Sequence, residues 1–196
     1  MRSLGVGAVL LAACLVVATP AYGQRSKTML GLSAGATLTD LEGGLVNTSS
    51  RWGFTGGAFG IFRTSRNSMV GLEVNYSQKG GKDLARLDYI EIPFVVGAII
   101  PTDNDRINFN YYTGISLAFK VSCSVEDGVV FVNCNDVNST EWAWPIGLGM
   151  AIRSENGNMI GLDARYSLGI SDAFKSSIAR NRSWQFRLYY GFAVGS

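Results

Sequence analysis

The sequence contains no histidine. That absence removes the commonest general base and the commonest metal ligand together. Hydrolases built on Ser/His/Asp or Cys/His arrangements cannot be assembled from it. Charge is scarce as well: charged residues make up 16% of the chain and the net charge is +2, against about 25% charged residues in an average soluble domain. There is no run of Lys and Arg and no block of like charge. Nucleic acid is therefore not an expected partner. Proline is low at 4 residues, and after the first two dozen positions no apolar run approaches the length of a membrane-spanning helix, about 20 residues. Neither a cofactor nor a metal is expected.

What is present begins with an export signal. Residues 1–23 read as a secretory signal peptide: Arg2 at the start, an apolar stretch from Leu4 to Ala18, then small residues in Ala21-Tyr22-Gly23. Gln24 would begin the mature chain, with residues 24–196 as one domain. Leu11-Ala12-Ala13-Cys14 also fits a lipoprotein-processing box. The apolar Leu15, Val16 and Val17 after Cys14, where a polar tether is usual, favour simple cleavage after Gly23. The two remaining cysteines, Cys123 and Cys134, form an even pair in an exported chain and read as a disulfide. Closing that loop would stabilise the fold by roughly 3 kcal/mol in the chain-entropy description.

The mature chain alternates apolar with polar or small residues, a period of two. In the last segment Trp184, Phe186, Leu188, Tyr190, Phe192 and Val194 share one face, opposite Gln185, Arg187, Tyr189, Gly191 and Ala193. Residues 70–77, 87–100, 107–120, 142–153 and 160–168 repeat the pattern, 30–38 shows it weakly, and 52–62 is too glycine-rich for its faces to be assigned. That makes eight strands. Three short connections (64–67, 102–105 and 154–158) interleave with four longer ones (39–51, 78–86, 123–141 and 171–182). An even number of antiparallel strands, with short turns at one end and long loops at the other, predicts an all-β, eight-stranded antiparallel up-and-down transmembrane β-barrel. Its loops would be extracellular and both termini periplasmic.

A soluble lipocalin-like barrel also has eight strands. Two features favour the membrane. The polar face is dominated by Gly, Ala, Ser and Asn with an occasional charge, which suits a narrow lumen better than a solvated exterior. Trp52, Trp142, Trp144 and Trp184 gather near the long-loop end, as an interfacial aromatic belt would.

Several segments resemble a known family. Leu87-Asp88-Tyr89-Ile90-Glu91-Ile92-Pro93-Phe94 resembles the Tyr-x-Glu-Ile-Pro strand of the PorT-like outer-membrane β-barrel family of Gram-negative bacteria. Gly31 to Ala36 resembles its first strand, and Gly71 to Gly80 its third strand and following loop. The resemblance implies fold and location far more than activity. One departure is that Phe192 is followed by Ala193-Val194-Gly195-Ser196, whereas such barrels commonly end on an aromatic residue read by the assembly machinery.

The inward face should hold Glu73, Glu91, Asp163, Arg165 and Arg187, with Lys120 and Arg153 as further candidates. Buried charges must be paired, so a salt-bridge network sealing the lumen is expected. Among the loops, Lys79, Lys82, Arg86, Lys175, Arg180 and Arg182 are candidate contacts for lipopolysaccharide phosphates. The 123–141 loop is acidic, and Asp127 and Asp136 would be its calcium ligands if it held one. The expected function is a non-enzymatic outer-membrane barrel with a structural, surface-interaction or assembly-support role. Its expected partners are membrane lipids and lipopolysaccharide, the outer-membrane assembly machinery, and an unidentified surface or periplasmic protein. The competing readings are a narrow channel, a soluble ligand carrier, and a lipid hydrolase or protease using Ser/Lys chemistry, for which no pairing is legible.

Overall fold

In a strand, successive side chains point to opposite faces, so a sequence alternating over many residues commits each face of a sheet to one solvent. The computed structural model describes residues 28–194 apart from 44, 45, 48, 83, 105, 126–133 and 176–178. The signal peptide assigned to 1–23, with Cys14, lies outside the described residues.

The strands are β1 (Thr28–Gly43), the two-residue β2 (Val46–Asn47), β3 (Arg51–Arg63), β4 (Ser68–Gly81), β5 (Ala85–Pro101), β6 (Ile107–Val125), β7 (Thr140–Arg153), β8 (Met159–Gly169) and β9 (Arg180–Val194). All pairings are antiparallel; β1 pairs with β3, β3 to β9 pair in chain order, and β1 also pairs with β9. β2 only folds back on the end of β1. The other eight strands close into an up-and-down barrel. Closure matters in lipid because an open sheet edge would leave backbone groups unpaired where no water can reach them.

The outside is apolar. Leu32, Leu72, Phe94, Ile115, Leu148, Leu162 and Leu188 are all exposed on the outer wall. From Trp184 to Val194 the outward face of β9 is continuously apolar or aromatic. Ten rises of about 3.4 Å give about 34 Å along the strand, or about 24 Å at a tilt of about 45°. That matches the apolar band of outer-membrane barrels, about 25 Å tall. Register places Trp52 beside Leu38, Leu38 beside Trp184, and Trp184 beside Tyr166. Four adjacent strands therefore carry one row of bulky side chains on the long-loop side.

The glycine-rich β3 has clear faces in the structure. Trp52, Phe54, Ala58 and Phe62 point out, while Thr55, Phe59, Ile61 and Arg63 point in. Inward glycines make room for large neighbours: a Cβ at Gly147 would stand 2.2 Å from Tyr112 Cζ. Proline interrupts the ladders locally. The β4–β5 register lapses at Glu73 and Val74 opposite Ile92 and Pro93, where Pro93 has no N–H to give. A bulge at Val121 shifts the β5–β6 register between Asp88 and Tyr89.

The long-loop end departs from expectation. Residues 78–86 do not form a long loop: β4 runs to Gly81 and β5 starts at Ala85, with Lys79 opposite Leu87 and Gly81 opposite Ala85. The hairpin tightens at Gly80, whose φ of +110° is a left-handed conformation costly for side-chain-bearing residues. β1, β6 and β9 also run past their expected ends, so Arg180 and Arg182 lie on a strand.

A Cβ at Gly80 would come 2.1 Å from Ala85 O, whereas one at Gly60 would meet side chains alone, the flexible Leu30 Cδ2 at 3.3 Å and Phe62 Cε2 at 3.8 Å. Gly80→Ala should therefore cost about 1–3 kcal/mol of stability and Gly60→Ala well under 1 kcal/mol. Urea unfolding of the lipid-reconstituted barrel measures both. Equal midpoints for the two variants would refute the strained hairpin.

The lumen and its candidate functional site

Eight strands leave a lumen wide enough for side chains and little else. Five inward residues from four strands meet in its middle: Glu73 on β4, Tyr112 on β6, Asp163 and Arg165 on β8, and Arg187 on β9. Arg165 Nη2 donates to Glu73 Oε1 at 2.5 Å, and Arg187 Nη1 donates to Glu73 Oε2 at 2.8 Å. Arg187 Nε donates to Asp163 Oδ1 at 2.9 Å. Tyr112 Oη donates to Asp163 Oδ2 at 2.6 Å and accepts from Arg165 Nε at 2.9 Å. Asn75 Nδ2 adds a donor to Glu73 at 2.8 Å. Two carboxylates and two guanidiniums make the group neutral. β4 and β8 are four strands apart in either direction round the wall, so the Glu73–Arg165 pair spans the full diameter.

A second group lies toward the long-loop end. Lys79 Nζ is 2.5 Å from Glu91 Oε1 and 3.6 Å from Glu141 Oε1. Ser77 Oγ donates to Glu91 Oε2 at 2.8 Å and Gln185 Nε2 at 3.2 Å, while Asn181 Nδ2 donates to Glu141 Oε2 at 2.6 Å. The Lys79 ammonium also sits 5.3 Å from the centre of the Tyr89 ring, a favourable cation–π approach. This corrects the reading of Lys79 as a surface contact for lipopolysaccharide. Its side chain is 1% exposed, because the β4 alternation continues through Ser77 and turns position 79 inward.

Each end of the lumen carries packed apolar side chains. At the long-loop end a cluster including Leu41, Leu84, Leu87, Tyr89, Val137 and Phe174 forms a roof. The Cys123–Cys134 disulfide, with 5.8 Å between Cα atoms, ties β6 to the 3₁₀ turn Cys134–Asp136. Lys120 does not join the lumen groups: Nζ donates to the Cys134 and Val137 carbonyls at 2.9 and 2.8 Å. An isolated bridge joins Val137 to Phe174, and Asn138 Nδ2 donates to Asp172 O at 2.8 Å. Val137, Asn138, Asp172 and Phe174 thus join the described parts of these two loops over the mouth. At the short-turn end Met29, Phe59, Ala151 and Met159 form one apolar plug, and Met69, Val95, Ile99 and Tyr112 another. A cavity of about 50 Å³ remains between these plugs and the central charges, room for a few water molecules.

The remaining candidate contacts stand at or above the tryptophan row. Arg182 pairs with Glu42, Arg180 Nε lies 3.5 Å from Asp172 Oδ1, and Arg86 Nε lies 3.0 Å from Asp88 Oδ1. Lys175 Nζ donates to Asn135 O at 2.9 Å. Lys82 is exposed. Asp136 belongs to the 3₁₀ turn, where its carbonyl accepts from the Lys175 amide. Asp127 lies outside the described residues. No group of three or more metal-ligating acids or cysteines occurs among the described residues.

Arg165→Met leaves Glu73 short of one partner in a buried site and should destabilise by about 3–5 kcal/mol. Adding Glu73→Met removes the stranded carboxylate and leaves Asp163 with Arg187, so the double variant should lose at least about 1 kcal/mol less than the sum of the singles. Denaturant midpoints in one lipid composition test this, and strictly additive losses would show that the two residues do not interact.

Among curated proteins no sequence match is found. The crystal structure of the outer-membrane protein OprG from Pseudomonas aeruginosa aligns with a TM-score of 0.55 at 9% identity, covering 89% of this chain and 99% of that one. Neisserial surface protein A (NspA) aligns with a TM-score of 0.53 at 13% identity, covering 82% and 95%. These likenesses show a shared fold. Residues 9–192 match the family described as outer membrane protein beta-barrel domain. The chain therefore belongs to that outer-membrane β-barrel family.

Proposed function

We propose that this protein is a non-enzymatic, non-conducting outer-membrane barrel whose working surface is the roofed long-loop end, in a structural or surface-interaction role. The observation that carries this reading is the lumen: charge pairs spanning its diameter, with a packed cluster at each end. A narrow channel would need a path through those layers. Catalysis finds no better support. The Ser77 hydroxyl, near the buried Lys79, is committed to Glu91 Oε2 inside the wall.

The long-loop end would face outward, with both termini periplasmic, residues 1–23 removed on export and residues 24–196 forming the mature barrel. The tryptophan row and the charged residues above it support this. Asp40 and Glu42 stand beside Arg182 and Arg180 on the outward faces of β1 and β9, past Leu38 and Trp184. Arg86, Lys175, Arg180, Arg182 and the exposed Lys82 would contact lipopolysaccharide phosphates there. PorT-like kinship gains a physical rationale: in the Tyr-x-Glu-Ile-Pro strand, Tyr89, Glu91 and Pro93 all point inward, and Glu91 anchors Lys79, Ser77 and Gln185. Insertion by the outer-membrane assembly machinery would use the aromatic-rich closing strand β9. An unidentified surface or periplasmic protein remains the expected further partner.

In planar bilayers the purified barrel should give no steady single-channel events, and steady openings would overturn the sealed-lumen reading. On intact cells, Lys82→Cys should react with a membrane-impermeant maleimide and Arg106→Cys should not. The reverse pattern would invert the orientation.

A further inference from the structure

Two arginines at the short-turn mouth take no part in the lumen groups. Arg63 ends β3 and Arg153 ends β7, and these strands are four apart in either direction round the barrel. Each follows the inward alternation of its strand, after Phe59 and Ile61 on β3 and after Ala151 on β7. They enter the same mouth from opposite walls.

Neither is ion-paired with a carboxylate among the described residues. Arg153 Nη2 meets only Met159 Sδ, at 3.9 Å, and its buried Nε has no hydrogen-bond partner. On the adjacent strand β6, the buried Asn108 Nδ2 is likewise without a partner. The inward side chains at this level on other walls, Met29, Met69, Ile99 and Met159, carry no charge. The nearby turn carboxylate of Glu155 is exposed and engaged by Arg106 at 2.9 Å.

Two half-buried cations facing each other repel unless an anion stands between them. Every unpartnered group here is an N–H donor. Two guanidinium forks approaching from opposite sides suit an anion with oxygens on all sides, which favours the tetrahedral phosphate over a planar carboxylate. The depth fits as well. Phe62 and Ile152, the chain neighbours of the two arginines, are outward-facing and about half exposed, at the edge of the apolar band where lipid phosphates lie.

We propose that Arg63, Arg153 and Asn108 form a phosphate-binding site at the short-turn mouth, filled by a phospholipid headgroup or by free phosphate. The site stands whichever way the barrel faces and whether or not its lumen conducts.

The test uses the barrel refolded in a phosphate-free maltoside detergent at constant ionic strength. Inorganic phosphate alone is titrated while the Arg63 and Arg153 Nε–H and Asn108 side-chain NMR signals are followed. In a second arm phosphatidylglycerol replaces phosphate, against a phosphate-free glycolipid. Saturable shifts of these signals in either arm are expected, with affinity falling about tenfold in Arg63→Gln and in Arg153→Gln. Saturation by phosphate alone assigns the free anion, and saturation by phosphatidylglycerol but not phosphate assigns the headgroup. Because Arg63→Gln also relieves repulsion, its unfolding midpoint without ligand should match or exceed that of the unsubstituted barrel, and the ligand should no longer raise it. If neither probe moves these signals, or if the variants bind as tightly as the unsubstituted barrel, the site does not exist.

Discussion

Glu73 holds two guanidiniums at once, and the rest of the lumen is arranged around that shared carboxylate. It reaches β8 through Arg165 and β9 through Arg187, tying β4 to the opposite side of the wall. Backbone ladders join only neighbouring strands, so these side-chain bonds are what resist flattening of the cylinder. Tyr112 and Asp163 complete the hydrogen bonding that makes buried charge tolerable. Such a group is weak evidence for net stability, but removing any one member strands the others.

The same strands answer to two solvents. Their outward faces meet hydrocarbon and carry Leu, Ile, Phe and Trp, while their inward faces meet each other and carry glycine, small polar residues and paired charges. This explains both the high glycine content and the low overall charge. An inward position is either an ion held by a partner or a residue small enough for an aromatic neighbour, as Gly147 is for Tyr112. The lumen is thus a polar core enclosed by an apolar shell, the inverse of a water-soluble domain.

The architecture was legible because alternation runs through most of each strand: the eight long strands overlap the eight segments read from the sequence, although β1, β6 and β9 run longer and the faces of β3 were legible only in the structure. Strand parity also put Glu73, Glu91, Asp163, Arg165 and Arg187 on the inward face. It could not show which of them meet, since Glu73 and Arg165 touch across the diameter and that depends on strand tilt and stagger. Lys79 was missed for a local reason. Residues 78–86 read as a long loop, yet Gly80 and Gly81 form a tight hairpin, and the alternation through Ser77 carries on to Lys79. Glu141 was counted with the acidic loop although it falls two residues before the inward Ala143. Tyr112 was missed as well, although its parity with Asn108, Asn110 and Ser116 places it in the lumen.

The β1–β9 ladder, from Thr28 opposite Val194 to Glu42 opposite Arg180, joins the two strands farthest apart in sequence. Until it zips, β1 and β9 each present a bare edge to hydrocarbon or to another chain, and no shorter subset of strands avoids this. Closure is therefore the committing event of biogenesis. An arrested chain is a sticky template for its neighbours, whereas a closed one offers nothing to pair with. The need to keep these two edges apart from other chains until they meet is written into the topology itself.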